Sequence, residues 1–239
     1  MSTQAAHGGP LVDLIVDRER AAQLEREAPD LPSLTLTRRQ RCDLELLLCG
    51  GFSPLIGFLG RDDYEGVRDH CRLADGTLWP MPITLDVDES RAGGFARGDR
   101  IALRGRTGEL LAVLTVDDLY QPDQALEAHA VFGTDEDGHA GVAHLQQSHP
   151  IYLGGTVEGV RMPPHEEFTE LRLTPRQLRA EFDRLGWDRV VAFNTRNPMH
   201  RAHQELTLRA TEELDAHLLI HPIVGITRPG DVDYHTRIA

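Results

Sequence analysis

Asn194-Thr195-Arg196-Asn197-Pro198-Met199-His200-Arg201-Ala202-His203 concentrates more reactive chemistry than any other stretch of the chain. The Arg196 guanidinium is a planar fork of donors, suited to a two-bond grip on an oxyanion that Lys could not reproduce. His200 and His203 are three residues apart, which on a helix puts both imidazoles on one face. Asn194, Thr195 and Asn197 add short polar side chains and backbone amides around them. Such a set can hold an anion at a helix N-terminus, where free N–H groups and the helix dipole already favour negative charge.

Two metal readings compete with the anion reading. A zinc protease requires His-Glu-x-x-His, and neither that spacing nor that Glu is present. A His-x-x-His zinc pair needs a third ligand, and no Cys or His cluster nearby supplies one, so no metal site is expected. A pair of surface histidines on an amphipathic helix is the remaining alternative. The position after Asn-Thr-Arg-Asn-Pro favours the phosphate reading.

The elements that must position these residues are legible around them. Val190–Phe193 is a short apolar run of the kind that forms a strand covered on both faces. Asn197 is a favoured N-cap and Pro198 fits the first helical turn, so a helix is predicted from Met199 to Leu214, with Leu206, Ala210 and Leu214 as an apolar stripe. A second strand over His217–Val224 completes a βαβ unit, which places the motif at the carboxyl end of a strand, where open α/β sheets bind nucleotides. The loop Gly225–Tyr234 should lie beside it. Thr174-Pro175 starts a preceding helix that runs to about Leu185, and Gly186 closes it.

Earlier in the chain, Met1–Pro10 reads as a mobile tail. Helices are predicted over Asp17–Ala28, over Arg38–Leu48 capped by Thr37 with Cys42, Leu46 and Cys49 on one side, and over Asp62–Cys71. Leu31–Leu36 is read as extended, and Phe52–Gly60 as a packed apolar loop that seats the N-terminal region. Strands are predicted over Thr77–Val87, Arg100–Leu103, Leu110–Val116 and Ile151–Val160, with a hairpin turn at Gly105–Gly108. The region from Leu73 to Val116 reads as a small β-rich barrel. Thr134–Gly138 is an acidic solvated tip, and Arg161-Met162-Pro163-Pro164-His165 is a linker.

Composition narrows the function classes. The formal net charge of −13 argues against nucleic acid as the main partner, and obliges any anion site to build local positive potential against the overall field. Hydrophobic residues at 40% and charged residues at 26% are ordinary for a globular protein of one or two domains. Cys42, Cys49 and Cys71 form neither a metal motif nor a disulfide framework, so a reducing cytoplasm is the expectation. No apolar run approaches the roughly 20 residues that a membrane span needs.

The ten residues from Asn194 to His203 resemble the signature of the ATP sulfurylase (sulfate adenylyltransferase) family, usually Gln-Thr-Arg-Asn-Pro-x-His-x-x-His. That His-x-x-His is the family's form of a motif shared by strand-to-helix nucleotidyltransferases. Phe52-Ser53-Pro54-Leu55-Ile56-Gly57-Phe58-Leu59, Asp75–Leu85, and His221-Pro222-Ile223-Val224-Gly225 with Pro229-Gly230-Asp231 resemble three further blocks of the same family. The resemblance runs from about Gly9 to Ala239 and covers only the family's N-terminal part.

It implies an α/β plus β-rich chain. An N-terminal PUA-like β-barrel domain (1–164) would precede the start of a Rossmann-like nucleotidyltransferase domain (165–239), with at least one more strand and helix, or a covering partner, beyond Ala239. It implies joining of sulfate to the α-phosphorus of ATP, yielding adenosine 5′-phosphosulfate and pyrophosphate, with Mg²⁺ accompanying ATP, in a cytoplasmic homo-oligomer. The fragment alone is expected to be inactive. Thr195, Arg196, Asn197, His200 and His203 would be the catalytic residues, and Asn194, Thr195, Arg196 and Asn197 would bind sulfate and ATP.

One position departs from the family pattern. Asn194 replaces the usual Gln, whose amide helps bind sulfate, and is one methylene shorter. This keeps a second reading open, a non-catalytic sulfurylase-like domain with an assembly or regulatory role, possibly fused to an adenylylsulfate kinase. An RNA-binding module built on the β-rich domain alone is disfavoured by the charge.

Overall fold

Local capping chemistry fixes where the first helices begin. In the computed structural model of the chain, which describes residues 5–224 and 232–238, Asp17 accepts from the Arg20 N–H and opens α1 (Arg18–Glu27). Thr37 and Gln40 form a reciprocal capping box at the start of α2 (Arg38–Leu48), satisfying amides that the first turn leaves without partners. Gly50 follows α2 with φ of +81°, a conformation that costs glycine little. The side of α2 that carries Cys42 and Leu46 faces solvent. The helix buries Gln40, Leu44, Leu47 and Leu48 instead.

The chain divides into two compact units, one of them Ala5–Arg176 and the other beginning at Gln177. The first is built on a six-stranded sheet of β1 (Ser33–Thr35), β2 (Gly57–Phe58), β3 (Leu85–Val87), β4 (Arg100–Arg104), β5 (Leu110–Tyr120) and β6 (Ile151–Gly159). Pairing follows the path β1-β4-β5-β6-β2, with β3 also on β6, and this path is open rather than closed on itself. β1 and β4 run parallel and the other pairs are antiparallel. Long-range partners thus make β6 the hub of the sheet. The core lies against it, with Leu85, Ile101, Leu103, Leu111, Leu114 and Tyr152 all fully buried. On the other side, Leu24 and Ala28 pack on Ala102, Leu110 and Val113.

The Phe52–Gly60 segment is packed, and part of it is β2. A Cβ on Gly57 would sit 1.9 Å from the Gly155 carbonyl oxygen, so only glycine allows the two backbones to approach so closely. The Ser53 hydroxyl accepts from the Val12 N–H at 2.9 Å, which seats the N-terminal segment on this loop. The strand expected over Thr77–Val87 shortens to β3, because Pro80 and Pro82 carry no N–H for a ladder.

The sheet is flanked by α3 (Arg61–His70), α4 (Glu89–Ala92), α5 (Gln124–Phe132) and α6 (Ala140–Gln147). α4, α5 and α6 are not among the helices predicted from the sequence. Glu127 of α5 is buried, and it accepts hydrogen bonds from the hydroxyls of Tyr64 and Tyr152 at 2.9 and 3.2 Å. Tyr120 packs on both of these rings, with centroids 5.3 and 5.8 Å away. Burial pushes the Glu127 carboxyl above its ordinary value, and the tyrosine donors offset part of that shift. The expected linker is tied to its own unit. Arg161 pairs with Glu25, and His165 meets Glu45 at 2.7 Å.

The second unit holds α7 (Pro175–Leu185, entering it from the first), β7 (Val190–Thr195), α8 (Arg201–Leu214), β8 (His217–Pro222) and α9 (Tyr234–Ile238). Gly186 follows α7 with φ of +70°. β7 and β8 pair in parallel from Val190↔His217 to Thr195↔Pro222, so the expected βαβ unit is present. Among the described residues, no helix is long and apolar enough to cross a membrane.

Candidate functional site

The βαβ unit delivers the motif to the carboxyl end of β7 and the N-terminus of α8. Two expectations about these elements need correction. β7 has no fully buried residue, because β8 is its one sheet neighbour among the described residues, and Ala192 and Asn194 are exposed. The apolar stripe of α8 also faces outward, with Leu206 59% and Leu214 55% exposed. Thr207 is the residue that α8 buries, its hydroxyl donating to the His203 carbonyl at 3.0 Å.

The helix begins later than Pro198. His200 is its N-cap, and Asn197, Pro198 and Met199 stay in the turn before it. Thr195 explains the delay. Its hydroxyl donates to the Asn197 carbonyl at 2.7 Å and accepts from the Asn197 N–H at 3.2 Å. A short side chain that takes both backbone groups of a residue two positions on competes with helix formation there.

The late start gathers the histidines at the helix mouth. The His200 and His203 rings stack with centroids 3.9 Å apart and planes 28° from parallel. Phe193 of β7 supports His203 from below, 5.4 Å away. Among the described residues no side chain caps α8, so the amides of its first turn are left open, as an anion site requires. His203 Nδ1 is buried and meets no hydrogen-bond partner among the described residues.

Strand alternation divides the six expected site residues. Phe193 and Thr195 project from the face of β7 that carries α8, and Asn194 projects from the other. Arg196 is half-buried just beyond the strand end. Arg237 is a further ordered residue of this unit. This buried side chain donates from Nε to the Val232 carbonyl and from Nη1 to the Ile223 carbonyl, both at 2.8 Å. It therefore holds together the two chain ends that flank residues 225–231. Its only sequence signal is a lone Arg in a short polar helix, which is weak. The loop expected beside the motif, including Pro229-Gly230-Asp231, lies mostly outside the described residues. Among the described residues, no group of three His, Cys, Asp or Glu side chains is placed to hold a metal ion.

The comparisons with known proteins agree with this architecture. A model of the PUA-like domain matches residues 4–162, and a model of the ATP-sulfurylase family matches residues 169–239. Sulfate adenylyltransferase from Eremothecium gossypii is 53% identical over 97% of this chain and 47% of its own length. The same enzyme from Mycosarcoma maydis is 52% identical over 98% of this chain and 42% of its own length. The solved structure of a hexameric APS kinase from Thiobacillus denitrificans superposes with a TM-score of 0.77 at 39% identity, over 93% of this chain and 40% of the other. The chain thus spans less than half the length of these relatives. Two family models that follow one another from residue 4 to residue 239, and half-identity over nearly the whole chain, make it a member of the ATP-sulfurylase family.

Proposed function

We propose that the chain supplies the PUA-like domain and the anion-binding start of the catalytic domain of a sulfate adenylyltransferase. ATP and sulfate become adenosine 5′-phosphosulfate and pyrophosphate. In this reading residues 1–164 are a PUA-like barrel domain, and 165–239 open a Rossmann-like nucleotidyltransferase domain. The protein works in the cytoplasm as a homo-oligomer.

A sulfate oxygen attacks the α-phosphorus in line, forming the new P–O bond. The bond from the α-phosphorus to the oxygen it shares with the β-phosphorus breaks, and pyrophosphate leaves with that electron pair. The obstacle is electrostatic, because a dianion must approach a polyanion. Catalysis of this kind rests on positioning and on donors aimed at developing charge. Arg196 grips sulfate in a fork, with Asn194 as a further ligand. Thr195 and Asn197 orient sulfate and the α-phosphate. His200 and His203 meet the phosphates as charge builds on the leaving group. Mg²⁺ arrives as part of the Mg–ATP substrate and neutralises some of that charge.

The observation that carries the reading is the N-terminus of α8, which no described side chain caps, with two stacked imidazoles beside it directly after Thr195-Arg196-Asn197. Sulfate-dependent pyrophosphate release from ATP tests it. The full-length protein is expected to turn over. Residues 1–239 alone are expected not to, since the β7–β8 sheet leaves one face uncovered. The second reading, an assembly or regulatory domain beside an adenylylsulfate kinase, is favoured by Asn194 and by the APS kinase resemblance. It takes precedence if the full-length protein shows no turnover.

A further inference from the structure

The register of the parallel pair brings a residue to Asn194 that the reading above leaves without a role. His221 of β8 stands opposite Asn194 of β7, and both are exposed. Side chains in register on neighbouring strands share a sheet face and stand about 4.8 Å apart. Asn194 and His221 therefore project together from the face opposite the one that carries Phe193, His203 and α8.

The backbone beyond His221 is held in place. Ile223 donates its N–H to the Thr195 carbonyl at 2.8 Å, and its own carbonyl accepts from Arg237 at 2.8 Å. The backbone that carries the His221 side chain is thereby set in position at the strand end. The imidazole offers one N–H when neutral and two when protonated. It is also longer than the Asn194 side chain, so it reaches further out from the sheet face.

We propose that His221 is a second donor beside Asn194 for the tetrahedral oxyanion substrate, so that the two faces of the β7 end sort the substrates. Sulfate sits on the Asn194–His221 face and the ATP phosphates on the His200–His203 face, with Arg196 at the strand end between them. The proposal rests on the sulfurylase reading for the identity of the anion. It extends that reading by assigning a residue and a substrate-sorting geometry.

Michaelis constants for sulfate and for ATP would be measured in full-length His221→Phe and His221→Asn variants. His221→Phe removes both ring donors and should raise the constant for sulfate at least about tenfold, the scale for one lost hydrogen bond to a charged group. The constant for ATP should stay nearly fixed, and His221→Asn should recover part of the loss. An unchanged sulfate constant in His221→Phe would overturn the proposal. So would a parallel rise for both substrates that His221→Asn does not relieve, since that marks a structural role. A direct readout separates this proposal from the sulfurylase reading. The ring signals of His221, identified by their loss in His221→Phe, would be followed by NMR during a sulfate titration. Displaced signals without turnover would uphold the anion site while the enzymatic reading fails, and unmoved signals would overturn the site itself.

Discussion

Five successive residues of β5, Leu110–Leu114, are buried, yet β7 is just as apolar over Val190–Phe193 and buries none of them. The residue types are the same and the neighbours differ. β5 lies between β4 and β6, with α1 on one face and the main core on the other. β7 has β8 as its sheet partner and α8 on one face. Burial is therefore set by how many elements reach a strand, and β5 draws its partners from residues 24 to 159. Around β5 apolar side chains specify stability. At the end of β7, polar side chains stand in the open, where a ligand can reach them.

The largest effect should come from opening the β5 side. Leu111→Ala removes a fully buried side chain and should cost about 2–5 kcal/mol of unfolding free energy, measured by denaturant titration. A loss under about 1 kcal/mol would mean that the core around β5 collapses onto the gap, and the contrast with β7 would weaken.

Arg196→Lys probes the candidate site. It keeps the charge and loses the planar fork, so the full-length protein should lose about 2–4 kcal/mol of transition-state stabilisation in kcat/KM for sulfate. Near-normal turnover would remove Arg196 from the direct ligands.

Asn194→Gln restores the amide reach usual in the family, extending it by roughly 1.5 Å. One regained hydrogen bond to an anion is about 1.5–3 kcal/mol, read as a lower Michaelis constant for sulfate with that for ATP nearly constant. If sulfate affinity does not improve, Asn194 is a neutral replacement.

Glu127→Gln tests the titratable group buried in the first unit. The Glu127 carboxyl is raised by burial, so the folded state favours its protonated form. Its stability contribution is complete below the ordinary carboxylate value and is lost as pH rises from there through the raised folded value. A melting temperature that falls across that window in the parent should become flatter in Glu127→Gln, with a change of about 1 kcal/mol at neutral pH. An identical pH profile in both proteins would show that Glu127 is ionised with its tyrosine donors fully compensating.

The smallest effect belongs to the exposed side of α8. Leu206→Ala should change stability by less than about 0.5 kcal/mol in residues 1–239, because the side chain is 59% exposed. A loss above about 2 kcal/mol in the full-length protein would show that further chain covers this face, and would move α8 toward the buried class that β5 represents.

Much of this molecule follows from local chemistry that the sequence carries on its own. Asp17 and Thr37 start helices where they stand because their side chains satisfy nearby amides. Pro175 and Gly186 bracket α7, and the β7–α8–β8 order follows from short apolar runs around an amphipathic stretch. The candidate site was legible as a cluster of residues, since forked donors and paired imidazoles after a strand supply the groups that an oxyanion would need. The tertiary structure decided what depends on distant partners. It cut the Thr77–Val87 strand to three residues, made β6 the hub of the sheet, and turned Cys42 and Leu46 outward. It docked α5 through Glu127 onto Tyr64 and Tyr152, 63 and 25 residues away. At the site it moved the helix start to Arg201 and set His221 beside Asn194. Caps and turns draw on groups a few bonds away, whereas burial and register are fixed by whichever residues the closed chain brings alongside, and periodicity along one segment holds no information about those.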